Sequence, residues 1–133
     1  YAVFSSTGTQ GNSTEDFREF ARGNWLESYG RGGGAKVAVL ARINPDTGDV
    51  DAATFLTAQL SSGRSNTVVV KELDFANDEL RVRADSFFSP RKSDRSPFIC
   101  EGKSPFDYSI SFTSDLSEAG QASVRNTEIS SCR

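Results

Sequence analysis

The sequence predicts an α+β fold that is mostly antiparallel β-sheet, and three observations support this prediction. One segment near the amino terminus repeats apolar residues at helical spacing, whereas the rest of the chain alternates short apolar segments with turn residues. Of the 133 residues, 36% are hydrophobic, which is enough for one core. We therefore expect one globular domain, residues 1–133, in which a meander of about six or seven strands has one N-terminal amphipathic helix packed on a face.

The predicted helix lies in the segment NSTEDFREFARGNWLESYG. Ser13 or Thr14 can cap its N-terminus, and the two acidic residues that follow suit the positive end of the helix dipole. Gly30 is the expected C-cap, because glycine readily adopts the left-handed conformation that ends many helices. The apolar residues fall on one broad helical face: Phe17, Phe20, Ala21, Trp25 and Tyr29. This face is expected to pack on the core.

The strands are predicted from alternation and from turn residues. The segments AKVAVLARI and VDAATFLTAQL flank the turn NPDTGD and form a first hairpin. The segments TVVVKELDF and ELRVRADSFF flank the turn AND and form a second. FDYSISFT alternates strictly and places four residues on the buried face: Phe106, Tyr108, Ile110 and Phe112. QASVRNTEIS is the expected closing strand, which carries Cys132.

Composition argues against several functional classes. The 15 basic and 18 acidic residues give a net charge of −3, which disfavours general nucleic-acid binding. The chain has no histidine, which removes Ser-His-Asp catalysis and histidine–metal sites. No motif indicates an enzyme or a cofactor, so neither is expected. No apolar run approaches the roughly 18 residues of a transmembrane helix, so no transmembrane segment is expected.

The two cysteines, Cys100 and Cys132, are expected to form a disulfide that pins the last strand. The alternative is a pair of free thiols in a cytosolic core. A disulfide indicates an oxidising compartment, so we expect an extracellular, periplasmic or cell-surface protein. The chain has no methionine, so Tyr1 is not a translational start and we expect a processed chain. Asn12 begins an Asn-Ser-Thr sequon and is a candidate glycosylation acceptor, although a helix cap explains it equally well.

Two acidic groups are candidates for chemistry. The first hairpin turn is surrounded by oxygen ligands that suit calcium: Asn44, Asp46, Asp49 and Asp51. Their spacing departs from the EF-hand pattern and ordinary turn chemistry explains them, so no metal site is predicted. Glu72 and Asp74 are expected to share one sheet face, where two carboxylates at a suitable separation can hydrolyse a glycoside. The alternative is a solvated face on which neighbouring basic residues pair with these acids.

A basic loop is the sharpest local charge feature of this acidic chain. The segment SPRKSDRSPFICEGK has four cations: Arg91, Lys92, Arg95 and Lys103. Long loops in compact domains are often functional, so these residues are candidates for contact with an acidic partner. Such a partner is an anionic glycan, a lipid headgroup or an acidic patch on a neighbouring subunit. The alternative is a solvated loop whose charges keep the sheet edge soluble.

The expected order of elements resembles the head domain of a type IV pilin. The shared features are an N-terminal helix, an antiparallel meander and a disulfide whose second cysteine, Cys132, is nearly terminal. The hydrophobic amino-terminal helix of that family, with its Phe-Thr-Leu-Ile-Glu-type start, is absent, and YAVFSSTGTQG is too rich in Gly and Ser to be its remainder. No residue role is therefore transferred from that family.

These features together predict a non-enzymatic interaction domain that is secreted or exposed at a surface. We expect it to act through surface contacts as a subunit of an extracellular assembly, an adhesin or an effector. A protein partner or self-assembly is expected, and an anionic glycan remains an alternative partner. Two other functions stay open: a small-ligand or glycan-binding domain, and a carboxylate-based glycan hydrolase.

Overall fold

The structure is a computed structural model that describes residues 1–7, 17–30 and 36–133. These residues form almost entirely antiparallel β-sheet. The strands in chain order are β1 (Ala2–Thr7), β2 (Lys36–Ile43), β3 (Val50–Gln59), β4 (Ser65–Ala76), β5 (Glu79–Ser86), β6 (Ser89–Pro90), β7 (Cys100–Gly102), β8 (Phe106–Thr113), β9 (Ala119–Val124) and β10 (Ser130–Cys132). A 3-10 turn at Phe17–Phe20 is the only helical element of the described ranges.

Seven strands form one antiparallel sheet in the order β1-β2-β3-β4-β5-β8-β9. The short strand β6 adds beside β3, and β7 with β10 forms a separate two-stranded ribbon. The first five strands are neighbours in sequence, so the meander predicted from the turns is present. The chain then leaves the sheet for β6 and β7 before β8 returns beside β5.

The larger hydrophobic cluster lies between the two halves of the sheet. It collects buried side chains from β2, β3, β4, β5 and β8, together with Trp25 and Leu116. The predicted buried face of β8 is confirmed, because Phe106, Tyr108, Ile110 and Phe112 are all buried. Tyr1 and Arg42, from the β1–β2 end of the sheet, both donate hydrogen bonds to the carbonyl of Ser114 after β8, so the sheet curls around this cluster.

A smaller cluster covers the other face of β2 and β3. Val37, Val39, Ala53 and Phe55 supply the sheet side of this cluster, and Ala21 and Tyr29 cover them. Residues 52–58 of β3 are therefore buried on both faces, without alternation. This two-sided burial explains why the segment AATFLTA is continuously small or apolar.

The predicted N-terminal amphipathic helix is wrong, and so is the α+β fold class that depended on it. Within residues 17–30 the 3-10 turn covers only Phe17–Phe20. Gly23 follows with a φ of 75°, in the left-handed region that interrupts a right-handed helix. The proposed caps Ser13 and Thr14 lie outside the described residues.

Two consecutive backbone donors after Gly23 bond outside their own segment, which gives the physical reason for the missing helix. Trp25 N–H donates to the carbonyl of Leu116 at 3.0 Å. Leu26 N–H donates to Thr54 Oγ1 at 2.8 Å. These donors are satisfied by tertiary partners and are not available for the i to i−4 bonds of a helix.

The aromatic residues of this segment also do not share one face. Tyr29 packs in the smaller cluster with Phe55, at a ring separation of 5.7 Å. Trp25 enters the larger cluster, where its ring lies 5.2 Å from that of Phe112. The segment therefore crosses from one face of β3 to the other, which a straight helix lying on one face would not do.

The predicted Cys100–Cys132 disulfide is confirmed. The two cysteines face each other in the register of β7 and β10. Ile99 and Arg133 exchange both backbone hydrogen bonds, at 2.8 and 2.9 Å, just beyond the bridge. Because β10 pairs with no described strand except β7, the disulfide and this ribbon hold the carboxy terminus.

No helix of the described ranges has the length and apolar character needed to cross a membrane.

The turn between β8 and β9 is organised by the Asp115 carboxylate. Its oxygen accepts bonds from Thr113 Oγ1 at 2.8 Å and from Ser117 Oγ at 2.7 Å. Ser117 N–H donates to the same oxygen at 3.1 Å. Leu116 sits inside this turn with a φ of 64° and is fully buried, so the carboxylate network supports the residue that accepts the bond from Trp25.

Removal of the disulfide is expected to destabilise the fold. The cysteines are 32 positions apart, and a cross-link of that span contributes about 3–4 kcal/mol by loop-entropy arguments. We expect the double variant Cys100→Ser and Cys132→Ser to shift the urea midpoint downward, with Ser131→Ala as a neighbouring control that changes little. An unchanged midpoint in the double variant would contradict a structural role for the bridge.

Acid is expected to weaken the β8–β9 turn. The three hydrogen bonds to Asp115, led by that of the Ser117 hydroxyl, lower its pKa from 3.8 to about 2. A lowered folded-state pKa stabilises the fold above the unfolded-state pKa, and this contribution is lost as the pH falls from about 4 to about 2.

The free energies of unfolding of the wild type and Asp115→Asn should therefore differ more at about pH 6 than at about pH 2. Denaturation in urea at both pH values measures this difference. A gap that does not change with pH would show that Asp115 makes no charge-dependent contribution.

Candidate functional site

The basic loop is fastened to the body of the protein by its own arginines. Arg91 Nε donates to Thr57 Oγ1 on β3 at 2.9 Å, and its Nη1 donates to the carbonyl of Arg95 at 2.9 Å. The hydroxyl of Tyr108 donates to the carbonyl of Arg91 at 2.6 Å. Burial lowers the pKa of the Arg91 guanidinium and raises that of the Tyr108 phenol. Arg91 is therefore a partly buried structural group as well as a predicted contact residue.

Arg95 ties the same loop to the segment that contains Trp25. Its Nε donates to the carbonyl of Trp25 at 2.5 Å, and the Trp25 indole N–H donates to the carbonyl of Ser93 at 2.9 Å. Arg95 adopts a φ of 77°, which the turn closed by Asp94 and Ser96 supports. These bonds fix the loop, although its outer surface remains exposed.

The other two predicted contact residues lie apart from each other. Lys92 Nζ sits 5.6 Å above the centre of the Phe98 ring, in a cation–π contact. Lys103 follows β7 on the exposed ribbon, where its backbone N–H donates to the carbonyl of Ile129 at 2.8 Å. Three of the four cations therefore share one loop, and Lys103 does not belong to that cluster. Contact of the four predicted residues with an acidic partner stays a prediction.

Three of the four calcium candidates lie in a hydrogen-bonded turn, and the fourth, Asp51, lies on β3. Asn44 Oδ1 accepts the N–H of Asp46 at 2.9 Å, the Asn44 carbonyl accepts the N–H of Gly48, and Asn44 N–H donates to the carbonyl of Asp49. Thr47 Oγ1 accepts the N–H of Asp49 at 3.2 Å. In the part of the chain that the structure describes, no three His, Cys, Asp or Glu side chains are close enough together to hold a metal ion.

The carboxylates predicted as a catalytic pair line an open groove of about 410 Å³ on the outer face of β4, β5, β8 and β9. Arg83 lies 3.8 Å from Glu72 and donates two bonds to Asp107, at 3.2 and 3.3 Å. Asp74 pairs in register with Arg81. A glycosidase needs one acid held protonated by an apolar pocket, whereas this groove is lined by ion pairs and serine hydroxyls.

The two ends of the sheet have an unusual charge pattern. Each interior strand of the seven-strand order contains at least one charged residue, whereas the edge strands β1 (AVFSST) and β9 (AGQASV) contain none. Soluble proteins normally protect edge strands with charges, proline or bulges, because an open edge can pair with another chain. The charge distribution here is the reverse of that pattern.

Strand β1 is the less protected of the two edges. It pairs with β2 in unbroken register from Ala2↔Ala41 to Thr7↔Lys36, with no proline and no bulge. The pairing register between β8 and β9 shifts at Ser111, and a shift of this kind twists the edge strand. The outer edge of β1 pairs with no strand of the described ranges.

The start of β1 and the residue before it expose large apolar side chains. Tyr1, Val3 and Phe4 are each 37% exposed. Tyr1 packs on Phe75 at a ring separation of 5.3 Å, and its hydroxyl donates to the carbonyl of Ser114 at 2.7 Å. Phe4 stacks on Phe17 at 5.3 Å. These contacts hold β1 on the sheet, and they leave its outer edge unpaired among the described residues.

Sequence reasoning missed this edge. The absence of charge and proline in YAVFSST was available as a signal, but only the sheet order shows that the segment lies at an edge. The candidate glycosylation acceptor Asn12 lies outside the described residues.

Comparisons with protein-family models, curated proteins and solved structures found no match to this chain.

Loss of the Arg91 side-chain bonds is expected to destabilise the fold. Arg91→Met removes two donated bonds and leaves Thr57 Oγ1 buried without that donor, at a cost of about 1–3 kcal/mol. Lys103→Met is the matched control, since it makes the same chemical change on the exposed ribbon and should cost less than about 0.5 kcal/mol. Equal unfolding free energies for the two variants would show that Arg91 has no structural role.

Proposed function

We propose that the protein is a non-enzymatic extracellular interaction domain that self-associates through β1. The observation that supports this proposal is the uncharged, unbulged edge of β1, which has no partner strand in the described part of the chain. The occupant is a second copy of the chain, whose β1 lies antiparallel to the first and extends the sheet across a two-fold axis.

The chemistry of the edge favours a second copy. In an antiparallel pair alternate residues bond to each side, so a six-residue edge presents about three N–H and three C=O groups outward. β1 introduces no like charges that would repel across the two-fold axis. In such a dimer Val3 and Phe4 would pack against the second copy. This apolar burial would stabilise the pair in addition to the backbone hydrogen bonds.

The size of this edge predicts a weak interaction. A six-residue strand is about 20 Å long, so the contact belongs to the small, transient class of interfaces. Association is therefore expected at high local concentration, as on a surface or within an assembly. The disulfide supports an oxidising compartment, where such an extracellular subunit would act.

A lysine placed on β1 is expected to prevent this association. We predict that the wild type forms dimers as its concentration rises to about 1 mM, and that Val3→Lys stays monomeric because it places a positive charge on each of the two paired edges. Analytical ultracentrifugation over a concentration series measures the difference. Ile129→Lys is the matched control, because it makes an equivalent apolar-to-lysine change on the separate ribbon, at a residue that is 63% exposed.

Ile129→Lys should dimerise like the wild type. A wild type that stays monomeric throughout, or dimers that survive in Val3→Lys, would contradict self-association through β1.

A further inference from the structure

A second surface, away from β1, has the composition of a ligand site. A pocket of about 310 Å³ opens between the end of β3, the connection from β5 to β6, and β7. We call it the Phe87–Phe88 pocket after the two aromatic residues that line it. Phe87 is 48% exposed and Phe88 is 39% exposed, and Phe106 is a buried part of the lining. The volume of the pocket lies at the lower end of the roughly 300–1,000 Å³ typical of small-ligand sites.

The backbone that carries the two aromatic residues is fixed at both ends. The fully buried Ser86 donates its hydroxyl to the carbonyl of Phe88 at 2.7 Å. Beyond Phe88, Ser89 and Pro90 pair with β3. The exposed rings are therefore presented from an ordered backbone, which lowers the entropic cost of using them in binding.

The facing wall is fixed by the disulfide ribbon. Cys100 and Gly102 line the pocket from β7, and Cys100 is bonded to Cys132. Gly102 has a φ of 97°, and a Cβ there would lie 1.9 Å from the carbonyl oxygen of Ile129. Only glycine allows the two ribbon strands to approach this closely, so this wall is preformed.

The polar groups of the pocket are neutral. They are one amide and three hydroxyl side chains: Gln59, Ser61, Ser89 and Ser104. These groups both donate and accept hydrogen bonds, and no charged residue lines the pocket. A ligand with an apolar face and a hydroxyl-bearing edge fits this combination, because aromatic rings attract the positive C–H groups of such a face.

We propose that the Phe87–Phe88 pocket binds one or two rings of a neutral saccharide. The apolar face of a sugar ring packs on Phe87 or Phe88, and its hydroxyls exchange hydrogen bonds with Gln59 and the serines. Carboxylated or sulfated sugars would leave their charge without a cationic partner in the pocket. This site uses no residue of β1, so it is independent of the self-association proposed above.

The test is titration of the isotopically labelled protein with four neutral probes: cellohexaose, xylohexaose, maltohexaose and chitohexaose. We expect at least one of them to shift the amide resonances of residues 59–61, 86–89 and 102–106. Phe87→Ala with Phe88→Ala should weaken that binding about tenfold or more, because the aromatic contact area is lost. Ile129→Ala, which removes an exposed apolar side chain outside the pocket, should bind as the wild type does.

The position of the shifts and the β1 variant separate this proposal from its alternatives. Binding of a neutral probe should be unchanged by added salt, because neither the probe nor the lining of the pocket is charged. Val3→Lys should keep full saccharide affinity, so loss of self-association and loss of this site are distinguishable. No shift with any of the four probes, or shifts confined to the loop from Arg91 to Arg95, would overturn the proposal.

Discussion

The burial of Trp25 is the constraint on which the irregular parts of the molecule depend. Its ring packs on Phe112 in the larger cluster, and its indole N–H donates to the carbonyl of Ser93. Its backbone N–H donates to Leu116, and its carbonyl accepts from Arg95. One residue therefore joins the segment 17–30, the basic loop and the β8–β9 turn. A buried indole requires a partner for its N–H, and these loops are arranged to supply the partners.

This arrangement explains why features that look functional in the sequence are partly structural. The arginines of the basic loop donate hydrogen bonds to backbone carbonyls and to one buried hydroxyl. These polar groups lie at the edge of the hydrophobic core, where they need hydrogen-bond partners. The candidates of the first hairpin turn serve in the same way, since Asn44 Oδ1 accepts the N–H of Asp46 within that turn. Val3 of β1 and the Phe87–Phe88 pair are partly exposed apolar side chains, and the two proposed contact surfaces are built on them.

The sequence predicted the elements whose pattern is set locally. Alternation in FDYSISFT and the turn residues of NPDTGD are enough to place strands, and the two cysteines are enough to predict their bond. The helix prediction was wrong because the spacing of Phe17, Trp25 and Tyr29 also suits a chain that crosses between two clusters. Gly23, which adopts a left-handed conformation, was the local sequence signal that a helix would be interrupted here. Neither the edge position of β1 nor the pocket is visible in sequence, since both depend on which distant strands pair.

The central claim is that the open edge of β1 pairs with a second copy of the chain. The most direct test is amide hydrogen exchange of Ala2 to Thr7, followed by NMR at increasing protein concentration. In an isolated molecule the amides that face β2 are protected and those that face outward exchange quickly. We expect the outward-facing amides to become protected as concentration rises. If they exchange equally fast at every concentration, β1 is a free edge and the account is wrong.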